Sequence, residues 1–311
     1  MMLTRHLSLW LASLAIAAAE KPAAPPADFK EIRKLLNDPN GDLAEIAEGW
    51  IGEKGGNHLF YFPTRDEPAT PATWGLKFET VNFKSKDGTS LHGWFIPAKG
   101  KTAKSAKATI VFSHGNAGAV GHHLGFCVWF AEAGYNVLVY DYRGFGKSGG
   151  SVDRRGMIND VKAAFAFISK RRDIDTNKII SYGHSLGGAQ SVTALAETPV
   201  KGLRAIVIDA SFASYTLMAR TIGGQLGERL VTDELSPKDF IQKLSPTPLL
   251  VIHGTKDEVV PFSQGRQLFE TAGEPKTFFQ VEAASHGSAL SGNKGAYRKK
   301  MIAWLDQVLK G

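Results

Sequence analysis

One cysteine among 311 residues is the first scarcity, and it excludes an internal disulfide framework and any Cys-rich metal site. Long apolar runs are scarce too. The apolar stretch near the N-terminus, Leu7–Ala19, holds thirteen uncharged residues, short of the about 20 that span a bilayer comfortably. No Asn-x-Ser/Thr acceptor occurs, so nothing points to N-glycosylation. Concentrated charge is also missing. The 37 Lys and Arg against 30 acids leave +7, spread too thinly to read as a nucleic-acid-binding face. What is present is 43% hydrophobic and 22% charged residues, enough apolar material for a sizeable core and a composition that argues against wholesale disorder.

The N-terminus has its own organisation. Arg5 and His6 precede Leu7–Ala19, which ends in small residues. A short positive segment, an apolar stretch and an Ala-x-Ala-like end form the layout of a secretory signal peptide over residues 1–19. Cleavage near Ala19 removes Arg5 and leaves 36 basic against 30 acidic residues, +6. The expectation is a periplasmic or secreted protein with no stable membrane span after cleavage. The other reading of the same segment is an uncleaved anchor. Residues 20–28 are a Pro/Ala spacer. A short amphipathic helix is expected over Phe29–Leu36, so 20–58 reads as a spacer and helix ahead of one domain at 59–311.

Within that domain two strand patterns, Leu76–Phe83 and Leu91–Ile96, flank a turn at Lys86-Asp87-Gly88 and predict a hairpin. Lys99, Lys101, Lys104 and Lys107 then form a solvated loop. Short β-branched runs follow at Thr109–Phe112, Val137–Tyr140, Ile179–Tyr182, Ala205–Ile208 and Leu249–Ile252. Continuous apolar runs of this kind suit strands buried on both faces of a parallel sheet. Helical patterns at Leu124–Ala133, Met157–Lys170, Leu186–Ala196 and Gln264–Thr271 separate them, and Thr277–Val281 and Ala296–Leu309 close the series. The alternation predicts a doubly wound α/β sheet. A short insertion, Asp209–Thr247, with helix-compatible pieces at Tyr215–Leu230 and Pro237–Leu244, makes at most a small lid.

The strongest chemical signal is Gly183-His184-Ser185-Leu186-Gly187-Gly188, between a predicted strand and a predicted helix. A G-x-S-x-G there is a nucleophile elbow. The serine is held in a tight positive-φ turn that needs small neighbours. A serine is inert without a base and an orienting acid. His286, just past the strand Thr277–Val281, sits at a carboxyl-terminal sheet edge, where open α/β sheets build sites. Two aspartates compete as the acid. Asp257 follows Leu249–Ile252, with Glu258 as its fallback, and Asp209 follows Ala205–Ile208. Asp257 is preferred because its strand adjoins that of His286 in sequence. The oxyanion hole requires two backbone N–H groups. Leu186, after the nucleophile, supplies one. Asn116, in Ser113-His114-Gly115-Asn116-Ala117-Gly118, supplies the other, with Ala117 as its neighbour.

Two nucleotide-like motifs fail in context. Gly144-Phe145-Gly146-Lys147-Ser148-Gly149 matches G-x-G-x-x-G, yet no helix starts at once and no acid ends a strand about 20 residues on. Its Gly-Lys-Ser lacks the P-loop's first glycine, since position 141 is Asp141. His122-His123 has no ligand partner at metal-site spacing. No cofactor and no metal are therefore expected.

The chain resembles the α/β-hydrolase superfamily, and more narrowly its Bem46/ABHD-type serine hydrolases. The residues that carry the likeness are Thr70-Pro71 with Gly75-Leu76, Asp87-Gly88 with Leu91, Gly93 and Trp94, Ser113–Gly118, Asp141-Tyr142-Arg143-Gly144 with Gly146, Ser148 and Gly150, Gly183–Gly188, and His253-Gly254 with Asp257. The resemblance implies a mostly parallel eight-stranded sheet with helices on both faces and a Ser185–Asp257–His286 triad. It also implies that Asp141–Gly150 is a structural loop. The expected activity is hydrolysis of carboxylic ester, thioester or related acyl bonds in a small-molecule substrate through an acyl-enzyme. A serine peptidase of the same fold is the first alternative, and a non-catalytic binding protein on the fold is the second.

Overall fold

The computed structural model describes residues 61–229 and 231–310. The expected signal peptide, spacer and Phe29–Leu36 helix lie outside the described residues. Eight strands form the main sheet: β1 (Glu79–Lys84), β2 (Ser90–Ile96), β3 (Thr109–Ser113), β4 (Asn136–Tyr140), β5 (Ile179–His184), β6 (Leu203–Asp209), β7 (Leu249–Gly254) and β8 (Lys276–Val281). Their spatial order is β8-β7-β6-β5-β3-β4-β2-β1. The predicted hairpin is present, with Glu79 opposite Phe95 and Lys84 opposite Ser90. β2 also runs antiparallel to β4, and every remaining pair is parallel. The sheet is the mostly parallel one the sequence predicts.

Burial follows position in the sheet. β3, β4, β5 and β7 are buried along their whole length, which is why their sequences are unbroken apolar runs. β1, at the edge, alternates in its last four residues, with Val81 and Phe83 inward and Asn82 and Lys84 outward. One core cluster joins Ile110, Phe112, Val137, Val139, Ile180, Tyr182, Val207 and Ile252 to Leu124, Phe130, Met301 and Leu305. Each such aliphatic side chain taken from water contributes about 1.5–3 kcal/mol before its entropy cost.

The helices are α1 (Val120–His123), α2 (Trp129–Glu132), α3 (Arg154–Ser169), α4 (Leu186–Glu197), α5 (Tyr215–Arg229), α6 (Phe262–Thr271) and α7 (Ala296–Val308). α3 begins where the Asp153 carboxylate accepts the Gly156 N–H, satisfying a free donor of its first turn. α4 packs on β5, β3 and β6, and α3 packs on α4. One predicted helix is corrected. Leu124–Ala133 is a 3₁₀ turn, Leu124–Phe126, followed by the single turn of α2. Leu124, Cys127, Val128 and Ala131 would share a helical stripe, but Phe130 lies off it and is equally buried. The break turns Phe130 inward too. The Phe126 carbonyl is satisfied by the Trp129 indole N–H at 2.9 Å. Cys127 therefore lies in a turn rather than on a helix.

The sheet belongs to a compact unit made of Pro63–Ala213 and Leu235–Gly311, while Ser214–Glu234 belongs to a second unit. The insertion expected at 209–247 is thus divided. In the second unit α5 breaks at Gly224, φ 63° and ψ −151°. The Asp233 carboxylate accepts from Ser214 Oγ and the Thr216 N–H. In the first unit the Pro237–Leu244 piece is two 3₁₀ turns, Pro237–Asp239 and Ile241–Leu244, rather than one helix.

Candidate active site

Ser185 stands alone between the last residue of β5 and the first of α4. Its backbone takes φ 53° and ψ −119°, a strained region that costs about 1–3 kcal/mol and persists only where its surroundings enforce it. The surroundings do so. The Ser185 N–H donates to the Asp209 carbonyl at 2.8 Å, and the Ser185 carbonyl accepts the Gly188 N–H at 3.0 Å. A Cβ on Gly183 would meet the Gly187 carbonyl and Gly188, so the turn closes only because these positions lack side chains. Ser185 is 8% exposed.

The same economy of space joins the elbow to the loop after β3. A Cβ on Gly187 would overlap the carbonyl of Ser113, so the start of α4 lies directly against the end of β3. Asn116 follows three residues later. Leu186 is the first residue of α4 and its N–H has no partner within the helix. The loop carrying Asn116 is held from several sides. His114 Nδ1 donates to the Gly115 carbonyl at 2.8 Å, the Tyr142 hydroxyl donates to the His114 carbonyl at 3.0 Å, and His123 Nε2 donates to the Ala117 carbonyl at 2.7 Å. The Asp141 carboxylate takes the Val120 N–H just beyond.

Asp257 and His286 meet across the loops that follow β7 and β8. Those loops are stitched together, with Thr255 N–H on the Val281 carbonyl and Lys256 N–H on the Ala284 carbonyl. His286 Nδ1 lies 2.9 Å from Asp257 Oδ2 and 3.1 Å from Oδ1. Asp257 Oδ1 also accepts the N–H groups of Val259 and Val260 at 2.9 and 2.8 Å. Burial pushes the Asp257 carboxyl up, but the His286 hydrogen bond and charge, with the two N–H groups, hold it below the usual carboxylate range. His253, fully buried, lies 3.4 Å from Asp257 Oδ2 and donates Nε2–H to the Val260 carbonyl. Glu258, the fallback acid, instead accepts the backbone N–H of His286 at 3.3 Å.

Asp209 is engaged elsewhere. Its Oδ2 pairs with His184 Nδ1 at 3.1 Å and accepts the Tyr182 hydroxyl at 3.2 Å. The His184 ring lies between partners of its own, 4.2 Å from the Phe126 ring and 5.2 Å from the His286 ring. That contact brings His286 beside the residue that precedes Ser185. His184 enters the sequence pattern only as the variable residue of G-x-S-x-G, and its pairing with Asp209 depends on a strand register that spacing does not reveal.

The nucleotide-like motif has a different occupation. Ser148 Oγ donates to the Asp141 carbonyl and accepts the His92 N–H, while Lys147 pairs with Glu67 at 2.8 Å. Arg143 is buried among Asp160, Asp87 and Asp153. His122 pairs with Asp66 at 3.4 Å.

Known proteins share this chain's pattern. The family model described as Serine aminopeptidase, S33 matches residues 104–235. The YfhR protein of Escherichia coli is 36% identical over 253 residues, which cover 81% of this chain and 88% of YfhR. The α/β-hydrolase domain-containing protein WAV2 of Arabidopsis thaliana is 30% identical, with 80% and 87% covered. Bem46 of Schizosaccharomyces pombe is 29% identical, with 70% and 73% covered. Among solved structures, the Pyrococcus furiosus esterase Pf2001 superposes with a TM-score of 0.65 at 18% identity, covering 81% of this chain and 97% of the esterase.

Proposed function

The chain belongs to the α/β-hydrolase family, in the branch of Bem46 and the α/β-hydrolase domain-containing proteins, and from that membership we propose that it is a serine hydrolase cleaving carboxylic esters of small molecules. Ser185 Oγ attacks the ester carbonyl while His286 Nε2 takes the hydroxyl proton. Asp257, on Nδ1, keeps that nitrogen protonated and balances the imidazolium. The N–H groups of Leu186 and Asn116 bind the oxyanion. Collapse breaks the acyl–oxygen bond, His286 returns its proton to the leaving alcohol, and water then releases the acid by the same steps in reverse. The observation that carries this reading is the 2.9 Å approach of His286 to Asp257, whose side chain is buried and hydrogen-bonded, together with a serine held at positive φ at a strand-to-helix turn.

The test is turnover of short-chain p-nitrophenyl esters by the wild type and by Ser185→Ala, with fluorophosphonate labelling followed by peptide mapping. Wild-type turnover with labelling at Ser185, both lost in the variant, is the expected result. Undiminished turnover in the variant, or a label on another residue, refutes the assignment. The S33 aminopeptidase description of the matching model favours a second reading, peptide hydrolysis. Faster release from aminoacyl p-nitroanilides than from esters would select it. The reading also includes export, supported by the layout of residues 1–19. A mature N-terminus near residue 20 in the exported fraction is the expected result by mass spectrometry.

A further inference from the structure

Next to the nucleophile lies a second imidazole–carboxylate pair that the mechanism above leaves unused. His184 and Asp209 are register partners at the ends of β5 and β6, so the parallel pairing itself sets their side chains together. Both are buried, with side chains 4% and 1% exposed. Asp209 Oδ2 receives the Tyr182 hydroxyl as well as His184 Nδ1. A carboxylate oxygen accepts, so Nδ1 carries a proton, and in the neutral imidazole Nε2 is then the acceptor. Asp209 is the only hydrogen-bond partner of the His184 ring among the described residues.

The direction of Nε2 follows from its neighbours. A Cβ built on Gly115 would lie 3.5 Å from His184 Cδ2, and one built on Gly287 would lie 3.7 Å from Cε1. Nε2 is the atom between those two carbons. It therefore lies on the ring edge flanked by Gly115, in the loop of Asn116, and Gly287, in the loop of His286, one residue away from Ser185 along the chain. Phe126, stacked on the ring at 4.2 Å and 22°, prevents the imidazole from turning away. A Cβ on Gly115 would crowd His123 and one on Gly287 would crowd Phe126, while each would meet the His184 ring only at ordinary contact distance.

We propose that His184 is a specificity-determining residue of this site, its Nε2 accepting a hydrogen bond from a hydroxyl carried within two or three bonds of the scissile carbonyl. The preferred substrates are then short hydroxy esters rather than plain alkyl esters. This rests on the reading of Ser185 as an ester nucleophile. A plain alkyl group beside Nε2 leaves a desolvated acceptor without a donor, and that loss is what a hydroxylated substrate avoids. Asp209 acts through His184 as a positioning residue, since it decides which ring nitrogen carries the proton.

The experiment compares kcat/KM in a pH-stat for ethyl 3-hydroxybutyrate against ethyl butyrate, and for 2-hydroxyethyl butyrate against ethyl butyrate. The wild type is expected to favour the hydroxylated member of at least one pair by about tenfold. His184→Asn, which keeps an amide near Nδ1 but has no Nε2, should abolish the preference. His184→Gln, whose amide reaches towards the Nε2 position, should restore part of it. Asp209→Asn should weaken it by releasing the tautomer, while fluorophosphonate labelling reports whether Ser185 remains competent. Equal wild-type turnover of both members of each pair overturns the proposal whatever the variants do. So does a preference that survives His184→Asn. Hydrolysis of no ester at all would instead sink the parent assignment.

Discussion

Asp257 and Asp209 are the same residue type at the ends of neighbouring strands, and what separates them is the imidazole each one faces. Asp257 holds His286, and Asp209 holds His184. Asp257→Asn should leave the fold in place but let the amide stabilise the wrong tautomer of His286, lowering kcat on a simple alkyl ester by about 10⁴. Asp209→Asn should cost far less on the same ester, because the His286 pair is untouched. A ranking in the opposite order, measured by steady-state kinetics on p-nitrophenyl butyrate, would move the orienting role to Asp209. The sequence favoured Asp257 only through strand adjacency, since the parallel register that gives Asp209 to His184 is not readable from spacing. Cys127 presents a simpler case. It is fully buried, and burial pushes its thiol well above the ordinary range. Ellman's reagent should therefore find no thiol in the folded protein and one after denaturation.

At the scale of elements, the site depends on how closely α4 can approach β3. Gly187 permits that approach, because any Cβ there would overlap the Ser113 carbonyl. Gly187→Ala must push apart the two segments that carry the proposed oxyanion donors. The expected cost is about 1–3 kcal/mol of stability from overpacking, together with a kcat loss of about 10–10² with KM little changed, since an oxyanion donor acts on the transition state. An unchanged kcat at a lowered Tm would separate the packing role of Gly187 from the oxyanion hole. The G-x-S-x-G spacing made this element visible in advance, because a strand, a strained serine and a helix leave a local pattern. The region after β3 was less legible. Leu124, Cys127, Val128 and Ala131 spell a helical stripe, yet Phe130 off that stripe is just as buried, and tertiary packing broke the helix. The contact of Phe126 with His184 depends on that break and had no local signature.

For the whole molecule, part of the basic charge is engaged within the fold. In the run after β2, Lys99 pairs with Glu132, Lys107 with Asp306, and Lys104 donates to the Ile174 carbonyl. Exposed pairs of this kind contribute little to stability, so the pH dependence of the fold should come from buried groups instead. His114 and His253 are both fully enclosed, and burial holds both below the ordinary histidine value of about 6.5 despite opposing help from nearby carboxylates and carbonyls. An unfolded chain takes up these protons at about 6.5, while the folded chain does so only at lower pH. Stability is then fully present above 6.5 and falls as pH drops below it, because the unfolded state binds more protons there. Asp257 adds a later loss. Its carboxyl lies below 3.8 in the fold, so its contribution holds above 3.8 and disappears as pH falls through the folded value. Calorimetry from pH 8 to pH 3 should therefore show a flat Tm down to about 6.5, then a decline that steepens near 4. His253→Gln should lower Tm at neutral pH and make the decline between 6.5 and 5 shallower, since one of the titrating imidazoles is gone. A decline that begins only below 4.5 in the wild type would remove the buried histidines from the account and leave the carboxylates as its sole cause.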